Sequence, residues 1–178
     1  MPHSIDFHAA MVNPEDKYRS INPGETIHFS WTANYPGVFM YHCGTPMVLQ
    51  HMISGMFGMV IVEPNDGFPG EKVDHEFAIV QNEYYLSQQG SSYVADTALA
   101  LKRVPTFVTF NGKVGQYVTR PIHVKAGEKI RLYFLNVGPN LVSSFHIIGT
   151  ILDRVWLDGN PANEFRGMQA VLVGPAQG

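Results

Sequence analysis

The stretch Tyr41-His42-Cys43-Gly44-Thr45-Pro46-Met47-Val48-Leu49-Gln50-His51-Met52-Ile53-Ser54-Gly55-Met56 decides how this chain is read. It holds the only cysteine among 178 residues, and His51 and Met56 follow it at short spacing. Thiolate, imidazole and thioether drawn to one point make a soft, asymmetric metal site of the sort that suits copper in an electron-transfer centre. Four-coordinate zinc also takes cysteine and histidine, but it gains little from a thioether and recruits a harder fourth donor. The residues therefore point to copper.

A copper–thiolate centre with two imidazoles needs a second histidine, and Met1-Pro2-His3-Ser4-Ile5-Asp6-Phe7-His8 supplies candidates. Side chains alternate faces along extended backbone, so His3 and His8, five positions apart, point to opposite sides and cannot share one metal. The same parity separates His42 from Cys43. Two metals are implied. One is held by His3, Cys43, His51 and Met56, the other approached by His8 and His42 with Asp6 on their face, and the Cys43–His42 peptide joins the two sites. Taken singly, a cysteine reads as a small buried hydrophobe and a strand histidine as a satisfied polar group. It is the spaced set with its shared parity that carries the reading. Met47, Met52 and Met59 read as packing residues, His28 as a surface histidine and His75 as part of a polar linker, while His123 receives no role.

In order and spacing, His3-Ser4-Ile5-Asp6-Phe7-His8 and the His42-Cys43 run with His51 and Met56 resemble the copper nitrite reductases of the multicopper oxidase superfamily. The resemblance continues through Phe110-Asn111-Gly112 and Phe145-His146-Ile147-Ile148-Gly149 to Val155-Trp156, which is similar to the first part of that family's second cupredoxin domain. It implies a type 1 copper on His3, Cys43, His51 and Met56 and a type 2 copper on His8 and His42. It also implies acid–base catalysis by Asp6 and by His146, which in the family comes from a neighbouring subunit. An electron would pass from the type 1 to the type 2 copper, where nitrite takes one electron and two protons to give nitric oxide and water. A homo-oligomer (a trimer or a multiple of one), a small electron-donor protein and a periplasmic or extracytoplasmic location are implied by the same resemblance, although no export signal precedes the motif at Met1.

The family's third histidine on the type 2 copper has no matching position before Gly178. Two alternatives follow, a blue-copper electron-transfer protein and an inactive, truncated multicopper oxidase. A laccase-like oxidase would need paired His-x-His motifs, and the sequence has none.

Composition sets the class. Charged residues are 15% of the chain, below the usual quarter, while 17 glycines and 12 prolines punctuate short apolar runs. That pattern predicts an all-β, cupredoxin-like Greek-key sandwich. The formal charge of -3 and the lack of a basic cluster exclude nucleic acid as a partner. No apolar run approaches the ~18 residues of a membrane span. Strands are expected at residues 26–31, 37–42, 57–62, 76–82, 106–110, 129–135, 144–148 and 169–173, with a short helix at 93–101.

A sandwich domain needs about seven strands and ~100 residues, more than residues 1–63 supply. Residues 1–63 thus read as the C-terminal half of a copper-binding cupredoxin domain, 64–75 as a linker, and 76–178 as the N-terminal part of a second. The halves are expected to join as one permuted sandwich, to complete one another by swapping between subunits, or to stack in an oligomer. A faint repeat accompanies this: Pro23-Gly24-Glu25-Thr26-Ile27-His28-Phe29 echoes Ala126-Gly127-Glu128-Lys129-Ile130-Arg131-Leu132.

Overall fold

The computed structural model describes residues 1–178. Twelve short strands carry the fold. The first three are β1 (Asp6–Phe7), β2 (Gly37–His42) and β3 (Phe57–Val62). After them come β4 (His75–Tyr84), β5 (Leu86–Gln89), β6 (Ser92–Ala95), β7 (Phe107–Phe110), β8 (Ile130–Asn136), β9 (Ser143–His146), β10 (Leu152–Trp156), β11 (Glu164–Met168) and β12 (Ala170–Val173). Helices are single turns or little more: α1 (Pro14–Lys17), α2 (Val48–Ile53), α3 (Thr97–Leu101) and α4 (Gln116–Thr119).

Strands β1, β2 and β3 form an antiparallel sheet in that order. At Gly58 the ring of Tyr41, its cross-strand partner, lies over the space a Cβ would take, so a larger residue there would have to displace that ring. A second sheet runs β7-β4-β8, with β4 and β8 parallel. A parallel strand buried on both faces reads as a nearly continuous apolar run, and β8 is such a strand. Tyr133 and Leu135, with Val137 just beyond the strand, turn to Val38 and Met40 on β2. Phe134 turns the other way, to Ile79 and to Val171 and Val173 on β12. The period of two along β8 thus makes it a middle layer, and residues 1–63 share a core with the rest of the chain.

Several expectations are revised. Residues 26–31 alternate in burial, with Ile27, Phe29 and Trp31 half-buried and Thr26, His28 and Ser30 exposed, but they pair with no strand. No backbone group of residues 26–36 enters a backbone hydrogen bond. The segment is held by side chains instead, Phe7 lying 5.6 Å from Trp31 and 6.4 Å from Phe29 between ring centroids. The faint repeat explains the contrast. Glu25 and Glu128 each fold back to accept from a backbone N–H three residues earlier, at 2.6 Å from Asn22 and 2.7 Å from Lys125, over glycines at φ 88° and 90°. The second copy then enters β8 and finds β4; the first finds no ladder partner.

The stretch expected as a helix at 93–101 divides into β6 and α3, because Asp96 caps the helix by accepting from the N–H groups of Ala98 and Leu99. His75 opens β4, with Nε2 2.9 Å from the Glu128 carboxylate. The linker is pinned, Phe68 stacking on Trp156 at 5.4 Å with the Arg131 guanidinium 4.7 Å above it. Met47 is exposed and left-handed (φ 69°) at the start of α2, whereas Met52 and Met59 do pack.

Accessible surface is 10970 Å² for 19.8 kDa, about 2,300 Å² more than the ~8,600 Å² expected of a compact monomer of that mass. Only 24 of the 178 residues are buried, so apolar groups such as Ile148 and Leu172 remain on the outside.

Candidate metal centres

The β1–β2 ladder places both candidate sites. Asp6 pairs with His42 and Phe7 with Tyr41, and the His8 N–H continues the ladder to the Met40 carbonyl at 3.0 Å. Alternation then puts Asp6, His8 and His42 on one face and Cys43 on the other.

On the Cys43 face, His3, Cys43 and His51 converge. The Nδ1 atoms of His3 and His51 are 3.2 Å apart, and Cys43 Sγ lies 3.8 Å from the first and 3.4 Å from the second. A circle through these atoms has a radius of about 2 Å, the length of a bond from nitrogen or sulfur to a first-row metal ion. Cys43 and His51 are buried and His3 is half-buried. Met56 is locked beside them through its backbone: its carbonyl accepts from Cys43 N–H at 3.0 Å and its N–H donates to the His51 carbonyl at 3.1 Å. Helix α2 carries His51, and Ile53 on the same helix packs on Tyr85 and Ala100 of the later part of the chain. Burial pushes the Cys43 thiol up, but hydrogen bonds from the backbone N–H groups of Ser4 and Thr45 and from the side chains of His3 and Thr45 outweigh it and bring the thiol down to about 7. A thiolate is the form that ligates a metal.

On the opposite face, one ligand atom each from Asp6, His8 and His42 fall within 4.8 Å of one another. His8 Nε2 and His42 Nε2 are 3.1 Å apart. His42 Nδ1 is 2.9 Å from the Cys43 carbonyl, so Nδ1 carries the proton and the Nε2 lone pair faces His8. Crowding by protein atoms, although His8 as a residue stays open to solvent, and then the neighbouring His42 hold His8 below the ordinary imidazole pKa, against the pull of Asp6. His8 is therefore a neutral imidazole at pH ~7, with a lone pair free for a metal. A cavity of about 350 Å³ adjoins His8 and is lined by Asp158, Asn160 and Asn163 from the later part of the chain.

His146 is not in this cluster. It lies on β9, exposed, with Nδ1 against the Gln169 carbonyl. Sequence reasoning missed Ser4 and Thr45, which hydrogen-bond the thiolate, and Ser20, whose hydroxyl meets that of Thr45; serine and threonine in turns carry no signal until the loops are seen together.

Two multicopper oxidase family models match the chain, one over residues 9–66 and the other over 75–177. The chain belongs to the multicopper oxidase family. It is 42% identical to the copper-containing nitrite reductase of Neisseria meningitidis over 184 aligned positions, all of this chain and 46% of that protein. Among solved structures, the copper nitrite reductase from Nitrosomonas europaea superposes with a TM-score of 0.87 at 37% identity, covering 99% of this chain and 62% of that one. The Thermus scotoductus copper-containing nitrite reductase gives 0.87 and 37% as well, with 99% and 41% covered. The fold is the expected cupredoxin-like β-sandwich. The chain spans about half the length of the curated relatives it matches.

Proposed function

We propose that this chain is the metal-bearing part of a copper oxidoreductase that reduces nitrite to nitric oxide. The observation that carries the reading is the pair of donor clusters set back to back on β1 and β2, His3/Cys43/His51 on one face and Asp6/His8/His42 on the other. Copper bound at the first would exchange single electrons, and copper bound at the second would take nitrite. The soft sulfur and imidazole donors with Met56 alongside suit copper, and the relatives named above are copper nitrite reductases.

This chain's own groups have definable parts. Cys43 supplies the thiolate, and the covalent path from Sγ through the Cys43–His42 peptide is shortened by the hydrogen bond from His42 Nδ1 to the Cys43 carbonyl. Asp6, opposite His42, holds a proton acceptor on the substrate face. His146 would join as the second acid–base group only from a neighbouring copy. An extracytoplasmic location and an electron-donor protein belong to the same proposal, and no helix is long and apolar enough to cross a membrane. So does the division into a C-terminal cupredoxin half at 1–63, a linker at 64–75 and an N-terminal cupredoxin part at 76–178. A homo-oligomer is supported by the surplus of about 2,300 Å² in the 10970 Å² of accessible surface.

One observation favours a second reading, a blue-copper electron carrier: the second cluster offers only two imidazoles, with His8 open to solvent. Copper content and turnover separate the two. The oxidised, copper-loaded chain should show an intense visible thiolate band that Cys43→Ser abolishes; a band that survives the substitution overturns the copper assignment. Two coppers per chain with rapid nitric oxide release supports the reductase. One copper with slow or absent turnover supports the carrier.

A further inference from the structure

The β1–β2 ladder ends at Asp6 and His42, short of both His3 and Cys43. Some other contact has to fix the distance between that imidazole and the thiolate. Residues outside both strands supply it. Ile21 exchanges two backbone hydrogen bonds with His3, at 3.0 and 2.8 Å. Next to it, the Ser20 hydroxyl lies 2.9 Å from the hydroxyl of Thr45, two residues beyond Cys43. Ser4 closes the loop from the other side: its Oγ accepts from Gly44 N–H at 3.0 Å, and its own N–H is 3.4 Å from Cys43 Sγ.

We propose that Ser20 is a positioning residue for the thiolate, clasping the Cys43–Thr45 loop to the segment bridged to His3 and so setting the geometry and electron density at Sγ. The inference rests on the reading of this cluster as a copper centre. Thr45 is buried (7% exposed), and its hydroxyl, which donates to the Cys43 thiolate, takes Ser20 as its second partner. Ser20 itself is exposed, so removing its hydroxyl opens no cavity. Without the clasp, Thr45 and Gly44 drift and the hydrogen bonding around Sγ weakens. A sulfur with fewer hydrogen bonds gives more density to the metal, which favours the oxidised ion and lowers the potential.

The test uses the copper-loaded chain and compares wild type, Ser20→Ala and Ser20→Thr by visible absorption, reduction potential and copper loss to a competing chelator. Ser20→Ala is expected to keep the thiolate band, to hold copper about tenfold less tightly, and to have a lower potential; Ser20→Thr is expected to restore both. A purely structural role would lower thermal stability and leave the potential unmoved. An intact band with unchanged potential and affinity in Ser20→Ala overturns the inference alone. Absence of the band in the wild type overturns the copper reading and this inference with it.

Discussion

Raising the pH should unlatch the element that carries His51, and Tyr85 is the group responsible. Its side chain is fully buried, its hydroxyl donates to the buried Glu83 carboxylate and accepts from Asn140 Nδ2 at 2.8 Å. Glu83 also accepts from the Leu141 N–H at 2.7 Å. Burial, and then the hydrogen bond to Glu83, push Tyr85 from 10.0 up to about 12. A folded-state pKa above the unfolded one means that the native state keeps the proton longer. The stabilisation is therefore complete below pH ~10 and is lost as pH rises towards ~12. At about 1.4 kcal/mol per unit, the loss attributable to this one group is of the order of 2–3 kcal/mol.

Because Ile53 of α2 packs on Tyr85, the loss should reach the site as well as the global stability. Urea unfolding of wild type and Tyr85→Phe across that alkaline range measures it. Tyr85→Phe is expected to be less stable near neutrality by about 1 kcal/mol, having stranded the Glu83 and Asn140 partners, but to lose 2–3 kcal/mol less on alkalinisation. Parallel pH dependences in the two proteins would refute the reasoning.

Two further outcomes follow from the packing. Leu135→Ala removes a fully buried side chain between β8 and β2 and should cost about 2–5 kcal/mol; Trp31 in residues 1–63 and Trp156 in the later part of the chain should report coincident transitions, and separate ones would show that residues 1–63 fold apart from the rest. Thr109→Val removes a buried hydroxyl that has no hydrogen-bond partner, opposite the similarly unpartnered Asn82 amide on β4. The change should be neutral or stabilising by up to about 1 kcal/mol, and a loss larger than that in thermal or urea unfolding would contradict it.

Much of this protein was legible in the order of its residues. Parity along extended backbone is a local property, so the opposition of His3 to His8 and of His42 to Cys43 could be read before any fold was known, and β2 and β3 fall at the expected 37–42 and 57–62 because Pro, Gly and apolar alternation delimit them locally. Hydrogen-bonded pairing is not local. Residues 26–31 carry a strand's alternation yet make no ladder, since a strand exists only where a partner does, and nothing within the segment reports on that. Likewise β8 as a layer between β2 and β12, the seating of His51 against Tyr85, and the clasp of Ser20 on Thr45 each join residues distant in the chain. Such contacts arise when burial brings faces together, and only the tertiary structure decides which faces meet.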